Sequence, residues 1–127
     1  MVGRMNVLIV HDRAKERTAL KQLFERDGEL NLVGEVAAAD DLLSRLQETR
    51  PDLVLLNWEL PGCQMSQLLS DMRCLHCPLK VVVFGEHPGV IREALTAGAH
   101  AFVCRQEPVE ELLNTVRAVG GLSPCYV

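Results

Sequence analysis

Polar residues with chemical potential stand at the ends of four apolar runs. The runs are NVLIV, DLVLLN, LKVVVF and AFVC, and the polar groups are His11 and Asp12, Asn57 to Glu59, Gly85 to His87, and Arg105 to Glu107. Carboxylates and imidazoles can bind metal ions and move protons, and a guanidinium can bind an anion. Asn57 differs, because an amide oxygen has its lone pair tied into resonance and is a poor nucleophile. An amide therefore stands in VLLNWELPG where an acid would make chemical sense.

The segments around these residues alternate between strand and helix patterns. Strands are predicted at NVLIV, LNLVGEV, DLVLLN, LKVVVF and AFVC. Helices are predicted in the stretches RAKERTALKQLFERDG, DDLLSRLQ, QMSQLLSDMR, GVIREALTAG and PVEELLNTVRAVGG. Each strand is followed by a helix, so the chain is predicted to consist of five β/α units.

Local signals predict details of these elements. In the first helix an apolar stripe, Ala19, Leu20, Leu23 and Phe24, is predicted to face inward, and Gly28 to close the helix. In the second strand Leu30, Leu32 and Val36 are predicted to share one side. Asp40 or Asp41 is a candidate cap for the second helix. The third helix is predicted to bury Met65, Leu68, Leu69 and Met72, the fourth to stop at Gly98, and Pro108 to begin the fifth.

Five β/α units with short connections predict a doubly wound α/β fold. Parallel strands need crossovers, and right-handed crossovers place helices on both faces of the sheet. The prediction is a five-stranded parallel sheet flanked by five helices. In such sheets ligands bind outside the carboxyl ends of the strands, where the four polar groups are predicted to meet.

Composition limits the class of protein. The 127 residues, 48% apolar and 24% charged, predict one globular domain. No apolar run approaches the roughly 20 residues of a membrane-spanning helix, and no signal-peptide cleavage site follows the N-terminus, so we expect a cytoplasmic protein with no membrane contact. Five cysteines are an odd number, which favours reduced thiols. A net charge of −4 argues against direct binding of nucleic acid.

At this point the sequence resembles a known family, the CheY-like receiver domain of bacterial response regulators, in its NarL/LuxR-type subfamily. The resemblance lies in VLIVHD, in LNLVGEVAAADDLLSRLQETRPDLVLLNWELPG and in EALTAGAHAFVCRQEPVEELLNTVRAVGGLSP, and it covers roughly Asn6 to Gly121. It implies the flavodoxin/CheY-like three-layer sandwich for residues 1–121. Residues 122–127 are similar to the start of a linker or C-terminal tail.

The same resemblance implies site roles that this chain largely lacks. In the family an aspartate ending the third strand accepts a phosphoryl group from a histidine kinase, and two acids after the first strand hold Mg²⁺. A Thr or Ser follows the fourth strand, and a Lys ends the fifth. The matching positions here are His11 and Asp12 for the acid pair, Asn57 for the acceptor, Gly85 for the hydroxyl and Arg105 for the lysine. Asp12 alone is retained.

These departures predict a degenerate, non-phosphorylatable pocket. Asn57 cannot act as the acceptor. With His11 neutral, the charges of the side chains at the five positions sum to zero. Asp12 and the Glu59 backbone carbonyl supply too few oxygen ligands for the octahedral coordination of Mg²⁺. We expect no catalysis, no metal and no cofactor. Arg105 is predicted to fork onto Asp12 and fill the pocket. Agreement across several positions favours a naturally degenerate site over one engineered change.

Several single features fit both a chemical role and a purely structural one. A zinc site formed by His11, Asp12, Glu86 and His87 is less favoured than solvated loop residues, because no fixed ligand spacing supports it. The CLHC segment, Cys74 to Cys77, has redox or zinc spacing but lies away from the chemical edge, so incidental thiols are favoured. FMN binding would need a Gly- and hydroxyl-rich phosphate loop, and HDRAKER is neither. Trp58 fits half-buried packing better than ligand stacking.

With catalysis excluded, an interaction module is the leading prediction for function. The resemblance implies signalling through the face formed by the fourth helix, fifth strand and fifth helix, including a possible homodimer. Phe102 stands at the family's aromatic switch position, but Gly85 has no side chain to couple to it. Expected partners are another protein or a fused DNA-binding output domain beyond Val127. The alternative is a small-molecule or metal sensor that uses the remodelled pocket.

Overall fold

A computed structural model of the chain describes residues 5–75 and 79–122. Five strands are present in the described residues: β1 Met5–Val10, β2 Leu30–Val36, β3 Leu53–Asn57, β4 Lys80–Gly85 and β5 Ala101–Cys104. Five α-helices alternate with them: α1 Ala14–Glu25, α2 Ala39–Thr49, α3 Met65–Leu75, α4 Ile91–Ala97 and α5 Val109–Val119. The strands pair in parallel in the order β2-β1-β3-β4-β5. The predicted doubly wound fold is confirmed.

The sheet has an apolar core on each face. Successive residues of a strand point to opposite faces, so the buried runs of β1, β3 and β4 supply both cores. Leu56 and Val83 belong to the core under α2, α3 and α4, together with the predicted stripe of α3. Leu55 and Phe84 belong to the core under α1 and α5. The helices thus form two layers around the sheet.

Four details of the sequence prediction are wrong. Leu30 and Leu32 lie in the core under α1 and α5, but Val36 lies in the opposite core. The cause is a register shift in the β1–β2 pairing between Val7 and Leu8, because one extra residue in a strand exchanges its inward and outward positions.

The other three concern the helices. Ala38 is the N-cap of α2, with no side-chain cap, and Asp40 and Asp41 lie in the first turn instead, where acidic charge also suits the helix dipole. Helix α1 ends at Glu25, before Gly28. Ala19, predicted to face inward, is exposed.

Other local predictions are confirmed or lie outside the described residues. Gly98 ends α4 with a left-handed φ of 119°, which glycine adopts without strain. Cys74 is a free, exposed thiol at the end of α3, and Cys77, the other cysteine of the CLHC segment, is outside the described residues. Most of the predicted tail, 123–127, is outside them as well. No helix in the described ranges is long and apolar enough to cross a membrane.

Candidate functional site

The sheet order brings the predicted site residues to one edge. Strand β1 lies beside β3, and β5 lies beside β4, so the residues after these strands meet at the carboxyl edge. Asp12, Asn57, Glu59 and Arg105 line one small polar pocket, together with Arg13 and Glu86. The backbone N–H of Arg105 donates to the carbonyl of Gly85 at 2.7 Å, which carries the guanidinium toward the pocket.

Asn57 is the buried centre of this pocket, with 2% of its surface exposed. Its Nδ2 donates to Asp12 Oδ1 at 3.1 Å. Its Oδ1 accepts from Arg105 Nη2 at 3.0 Å and from the Glu59 backbone N–H at 3.4 Å. A carboxylate can only accept and a guanidinium can only donate, so the two neighbours fix the orientation of the amide. An amide is matched to this position, since it offers a donor to one side and an acceptor to the other.

Arg105 fills the pocket, but its partners differ from the predicted one. Its Nη1 donates to Glu16 Oε1, and its Nη2 lies 3.7 Å from Glu59 Oε1. The guanidinium also lies over the Phe84 ring at 5.2 Å from the centroid, within cation–π range. The predicted fork onto Asp12 is wrong, because Asn57 stands between the two groups and bonds to both.

His11 is fully buried beside this network and belongs to its support. Its Nδ1 accepts a hydrogen bond from the Arg13 backbone N–H at 3.1 Å, so its proton is assigned to Nε2. Nε2 lies 3.3 Å from Glu16 Oε2 without the alignment of a hydrogen bond. Burial lowers the pKa of His11 below 6.5, and Arg105 adds to this effect, although Glu16 opposes it. His11 is therefore neutral at pH 7 and supplies no positive charge.

Gly85 is closely surrounded, so a side chain here would have to displace its neighbours slightly. A Cβ built on it would lie 3.2 Å from Phe102 Cζ, 3.1 Å from Trp58 Cβ and 3.0 Å from Glu59 Oε2. Distances this short require a neighbour to move. The Phe102 ring thus lies against the backbone of Gly85, and Trp58 packs on the α2–α4 core, as predicted for a half-buried aromatic.

The residues of the pocket do not fit the Mg²⁺ ion that the fold family implies. Asp12 Oδ1 already accepts from Asn57, and the guanidinium of Arg105 is within hydrogen-bond distance of the same amide. Mg²⁺ needs several hard oxygen ligands, and a cation beside it is unfavourable. No cluster of three or more His, Cys, Asp or Glu side chains suited to a metal ion is found in 5–75 or 79–122. The predicted alternative of zinc on His11, Asp12, Glu86 and His87 has no such cluster behind it.

The predicted net charge of zero left out charged residues that also line the pocket. Glu59 and Glu86 line it as well as Asp12, and Arg13 lines it as well as Arg105. Three carboxylates and two guanidiniums give a net charge of −1.

Glu16 is the main residue that sequence reasoning missed. Its position in the first turn of α1, directly after β1, was the available signal, because that turn begins at the same edge of the sheet.

Comparisons with known proteins agree with this architecture. The sequence profile of the response regulator receiver domain family matches residues 7–117. The probable transcriptional regulatory protein SgaR of Hyphomicrobium methylovorum is 33% identical over 131 residues, covering 100% of this chain and 62% of its own length. The transcriptional activator protein ExaE of Pseudomonas putida is 32% identical over 118 residues, covering 91% of this chain and 55% of its own length. The chain therefore spans a little over half the length of these relatives.

Solved structures match the fold closely. A DNA-binding response regulator of the LuxR family from Staphylococcus aureus aligns with a TM-score of 0.81 at 25% identity, covering 91% of this chain and 98% of that one. The response regulator domain of Thermotoga maritima CheB aligns with a TM-score of 0.83 at 22% identity, covering 95% and 99% of the two chains. The second likeness supports the fold alone.

Proposed function

The chain belongs to the response regulator receiver domain family, and we propose that it is a receiver that works without phosphorylation, as an interaction module of a transcription regulator. Asn57 stands at the family's acceptor position, and an amide cannot form the acyl phosphate that a carboxylate forms. The proposed output is carried by a protein surface whose conformation does not depend on a phosphoryl group.

One observation carries this proposal: the hydrogen-bonding groups of the Asn57 side chain are engaged within the chain. The amide donates to Asp12 and accepts from Arg105 in a buried position. Phosphoryl transfer depends on positioning and on stabilising the charge of three phosphoryl oxygens. Here the space and the donors that such a group would use are occupied by the protein's own ion pairs.

The Phe102–Gly85 contact supports a fixed conformation of the output side. The ring lies against the Gly85 backbone, and Gly85 offers no hydroxyl that a bound phosphoryl group could attract. A ligand can shift an equilibrium only by interacting differently with the two states. With neither a phosphate site nor a responding hydroxyl, occupancy of the pocket has no path to the face around β5.

That face carries exposed apolar side chains. Ile91 and Leu95 of α4 are 37% and 45% exposed. Ile91 and Leu95 are four residues apart and so share one side of α4. We propose that this surface, with β5 between the helices, contacts a protein partner, a second copy of the chain or a fused DNA-binding output domain. The proposed receiver unit is 1–121, with a linker beginning at 122.

Acetyl phosphate labelling tests the proposal directly. Intact mass spectrometry after incubation with acetyl phosphate and Mg²⁺ should show no adduct on the unmodified chain. The Asn57→Asp variant should label about a thousandfold more slowly than an intact receiver domain, because Mg²⁺ ligands and the hydroxyl at Gly85 are still missing. The combination His11→Asp, Asn57→Asp, Gly85→Thr and Arg105→Lys is the positive control. An adduct on the unmodified chain would contradict the proposal.

Sedimentation tests whether this surface mediates association independently of the pocket. Any self-association should be unchanged by beryllofluoride with Mg²⁺, and should weaken in an Ile91→Ser, Leu95→Ser double variant. Leu75→Ser is the matched control, because Leu75 is similarly exposed, 37%, but lies on α3. A dimer induced by beryllofluoride would show that the pocket still controls the surface.

The alternative function, a sensor that binds its ligand in the remodelled pocket, has weaker support. The cavity lined by Asp12, Asn57 and Arg105 has a volume of about 60 Å³, enough for a few water molecules and too small for an organic ligand. Melting temperatures with and without candidate metal ions separate the two functions. A rise with one ion would favour the sensor.

A further inference from the structure

A cleft lies between the end of α1, the α1–β2 loop and α5, beside the start of β2. Its volume is about 580 Å³, within the range of about 300–1,000 Å³ that is common for binding clefts. Two partly buried leucines line it, Leu23 of α1 and Leu113 of α5, and both pack on the core under these helices. The other lining residues are Arg26, Asp27, Gly28, Glu29 and Arg117. The cleft thus combines apolar and charged walls.

The charges of the cleft balance one another. Arg117, with a side chain 7% exposed, donates to Asp27 Oδ2 at 2.6 Å and to Glu29 Oε1 at 2.5 Å. Together with Arg26 these residues give two guanidiniums and two carboxylates, a net charge of zero. A charged ligand therefore gains no net attraction here, and the chain's own charge of −4 does not draw a second copy to the cleft. The cleft favours an uncharged occupant with an apolar body.

The end of α5 brings the chain to this cleft. Gly121 has a left-handed φ of 82°, its N–H donates to the Ala118 carbonyl at 3.1 Å, and the Leu122 N–H donates to the Arg117 carbonyl at 2.7 Å. These two bonds form a Schellman motif, which turns the chain back against the helix. Leu122 then packs on the core under α1 and α5. The next residues therefore begin beside Arg117, which lines the cleft.

Residues 123–127, SPCYV, have the chemistry that the cleft favours. They carry no charged side chain, and Tyr126, the single tyrosine of the chain, combines an apolar ring with a hydroxyl. Its Cα can lie up to about 14 Å from that of Leu122, since an extended chain spans about 3.3–3.6 Å per residue. Leu113 lies one helical turn before Arg117, about 6 Å along α5, and so is within reach. Attachment to α5 also gives the segment an effective concentration on the order of 1 mM.

We propose that this cleft binds residues 123–127 of the same chain, with the Tyr126 ring against Leu23 and Leu113 and the hydroxyl at the charged residues. Such docking fixes the direction in which the chain leaves the receiver, and hence where an output domain joined to it begins. The proposal does not rest on the absence of phosphorylation, because the cleft and the pocket around Asn57 share no lining residue. Failure of one proposal therefore leaves the other standing.

Nuclear Overhauser spectra of the 127-residue chain test the docking without any mutation. The Tyr126 ring protons should give cross-peaks to the methyl groups of Leu23 and Leu113, and none to those of Leu75, which is exposed on α3. In a mixture of isotope-labelled and unlabelled chains, cross-peaks between different molecules should be absent. Cross-peaks between molecules would assign the cleft to a second copy, and a ring without cross-peaks to either leucine would be undocked. Either result would overturn the proposal.

Variants of Tyr126 test whether its ring is the anchor. Hydrogen exchange at the Leu122 amide reports on docking, because its bond to the Arg117 carbonyl joins the segment to α5. Tyr126→Ser should speed this exchange at least about fivefold, whereas Tyr126→Phe, which keeps the ring, should change it less than about twofold. Equal exchange in Tyr126→Ser and the unmodified chain would exclude the ring as the anchor.

A pair of glycine variants tests the cleft itself. A Cβ built on Gly28, which lines the cleft, or on Gly89, in the turn before α4, meets no atom within 4 Å, so both positions have space for a side chain. Gly28→Trp should remove the Tyr126 cross-peaks and speed exchange at Leu122 at least about fivefold, whereas Gly89→Trp should change that exchange less than about twofold. Cross-peaks that persist in Gly28→Trp would show that the segment lies outside the cleft.

Discussion

The sheet core and the polar pocket at its carboxyl edge are stabilised in different ways. Leu56 and Asn57 are consecutive, buried residues of β3, yet Leu56 packs in an apolar core and Asn57 bonds to two charged side chains. The core depends on filled volume, and many apolar residues can supply it. The pocket depends on a donor facing Asp12 and an acceptor facing Arg105. Exchanging the amide of Asn57 for a carboxylate therefore changes the pocket without changing the core.

The comparison shows that the cores of the fold and the polar contacts of the pocket depend on different residues. Neither core cluster includes the five positions His11, Asp12, Asn57, Gly85 and Arg105, which lie after the strands or at their ends. At the edge of the sheet Asn57 bonds to Asp12 and Arg105, and Arg105 also bonds to Glu16. Fold and chemistry are separable here because they use different residues and different forces.

The largest expected effect is in the core. Leu56→Ala should lower the free energy of unfolding by about 2–5 kcal/mol, because it removes a fully buried side chain and leaves a cavity. Urea denaturation followed by circular dichroism measures the loss. Leu75→Ala, at a 37% exposed position, is the control and should cost less than about 1 kcal/mol. A small loss for Leu56→Ala would mean that the core is looser than its burial indicates.

The next effect tests the match between Asn57 and its neighbours. Asn57→Asp should cost about 2 kcal/mol at pH 7, because it puts a second carboxylate about 3 Å from Asp12 in a buried position while Arg105 offsets part of the repulsion. The loss should shrink at pH 5, as the new carboxyl takes up a proton. Asn31→Asp, on the exposed side of β2, is the control. A variant more stable than the original at pH 7 would show that Arg105 governs the pocket charge.

The fold could be predicted from sequence to a large extent, because its signals are local. Strand runs such as LKVVVF and the stripe of α3 report burial directly, and alternating β/α units leave few topologies. The predicted side of Val36 was wrong because the register shift depends on how β2 pairs with β1. No residue pattern within β2 records that pairing.

The site could be predicted in its membership but less well in its contacts. The carboxyl ends of parallel strands meet at one edge, so the grouping of Asp12, Asn57 and Arg105 followed from their positions alone. The choice of Glu16 over Asp12 as the partner of Arg105 did not. It depends on which side chains reach one another once α1 is packed, and a guanidinium with several acids nearby has no preference that sequence spacing reveals.

A third prediction concerns the contact between Gly85 and Phe102. Gly85→Ala should cost about 1.5 kcal/mol, because its Cβ would come within 3.2 Å of Phe102 Cζ and as close to Trp58 and Glu59. Phe102→Leu should recover part of that loss, with a coupling of at least about 0.5 kcal/mol in a double-mutant cycle. Additive effects of the two substitutions would show that the ring does not lie against Gly85.

The smallest expected effect is the pH dependence that His11 contributes. Burial lowers the folded-state pKa of His11 below its unfolded value of 6.5, so the unfolded chain binds more protons than the folded one just below pH 6.5. The stability from neutral His11 is therefore complete above pH 6.5 and falls as the pH drops toward the folded-state pKa. Glu16 and Asp12 oppose the shift, and Arg105 and Arg13 support it.

This contribution can be isolated by comparing variants. Between pH 7.5 and 5.5 the native chain should lose up to about 1.4 kcal/mol more than His11→Gln, since glutamine does not titrate. The absolute stability of the variant at pH 7.5 does not enter, because each protein is compared with itself. His100→Gln is the control: the pKa of His100 is also lowered, by burial and by Lys80 and Arg73, but its side chain is exposed and its contribution should be smaller. If His11→Gln loses as much stability on acidification as the native chain, Glu16 holds the proton on the imidazole, and His11 is a cation of the pocket rather than its neutral support.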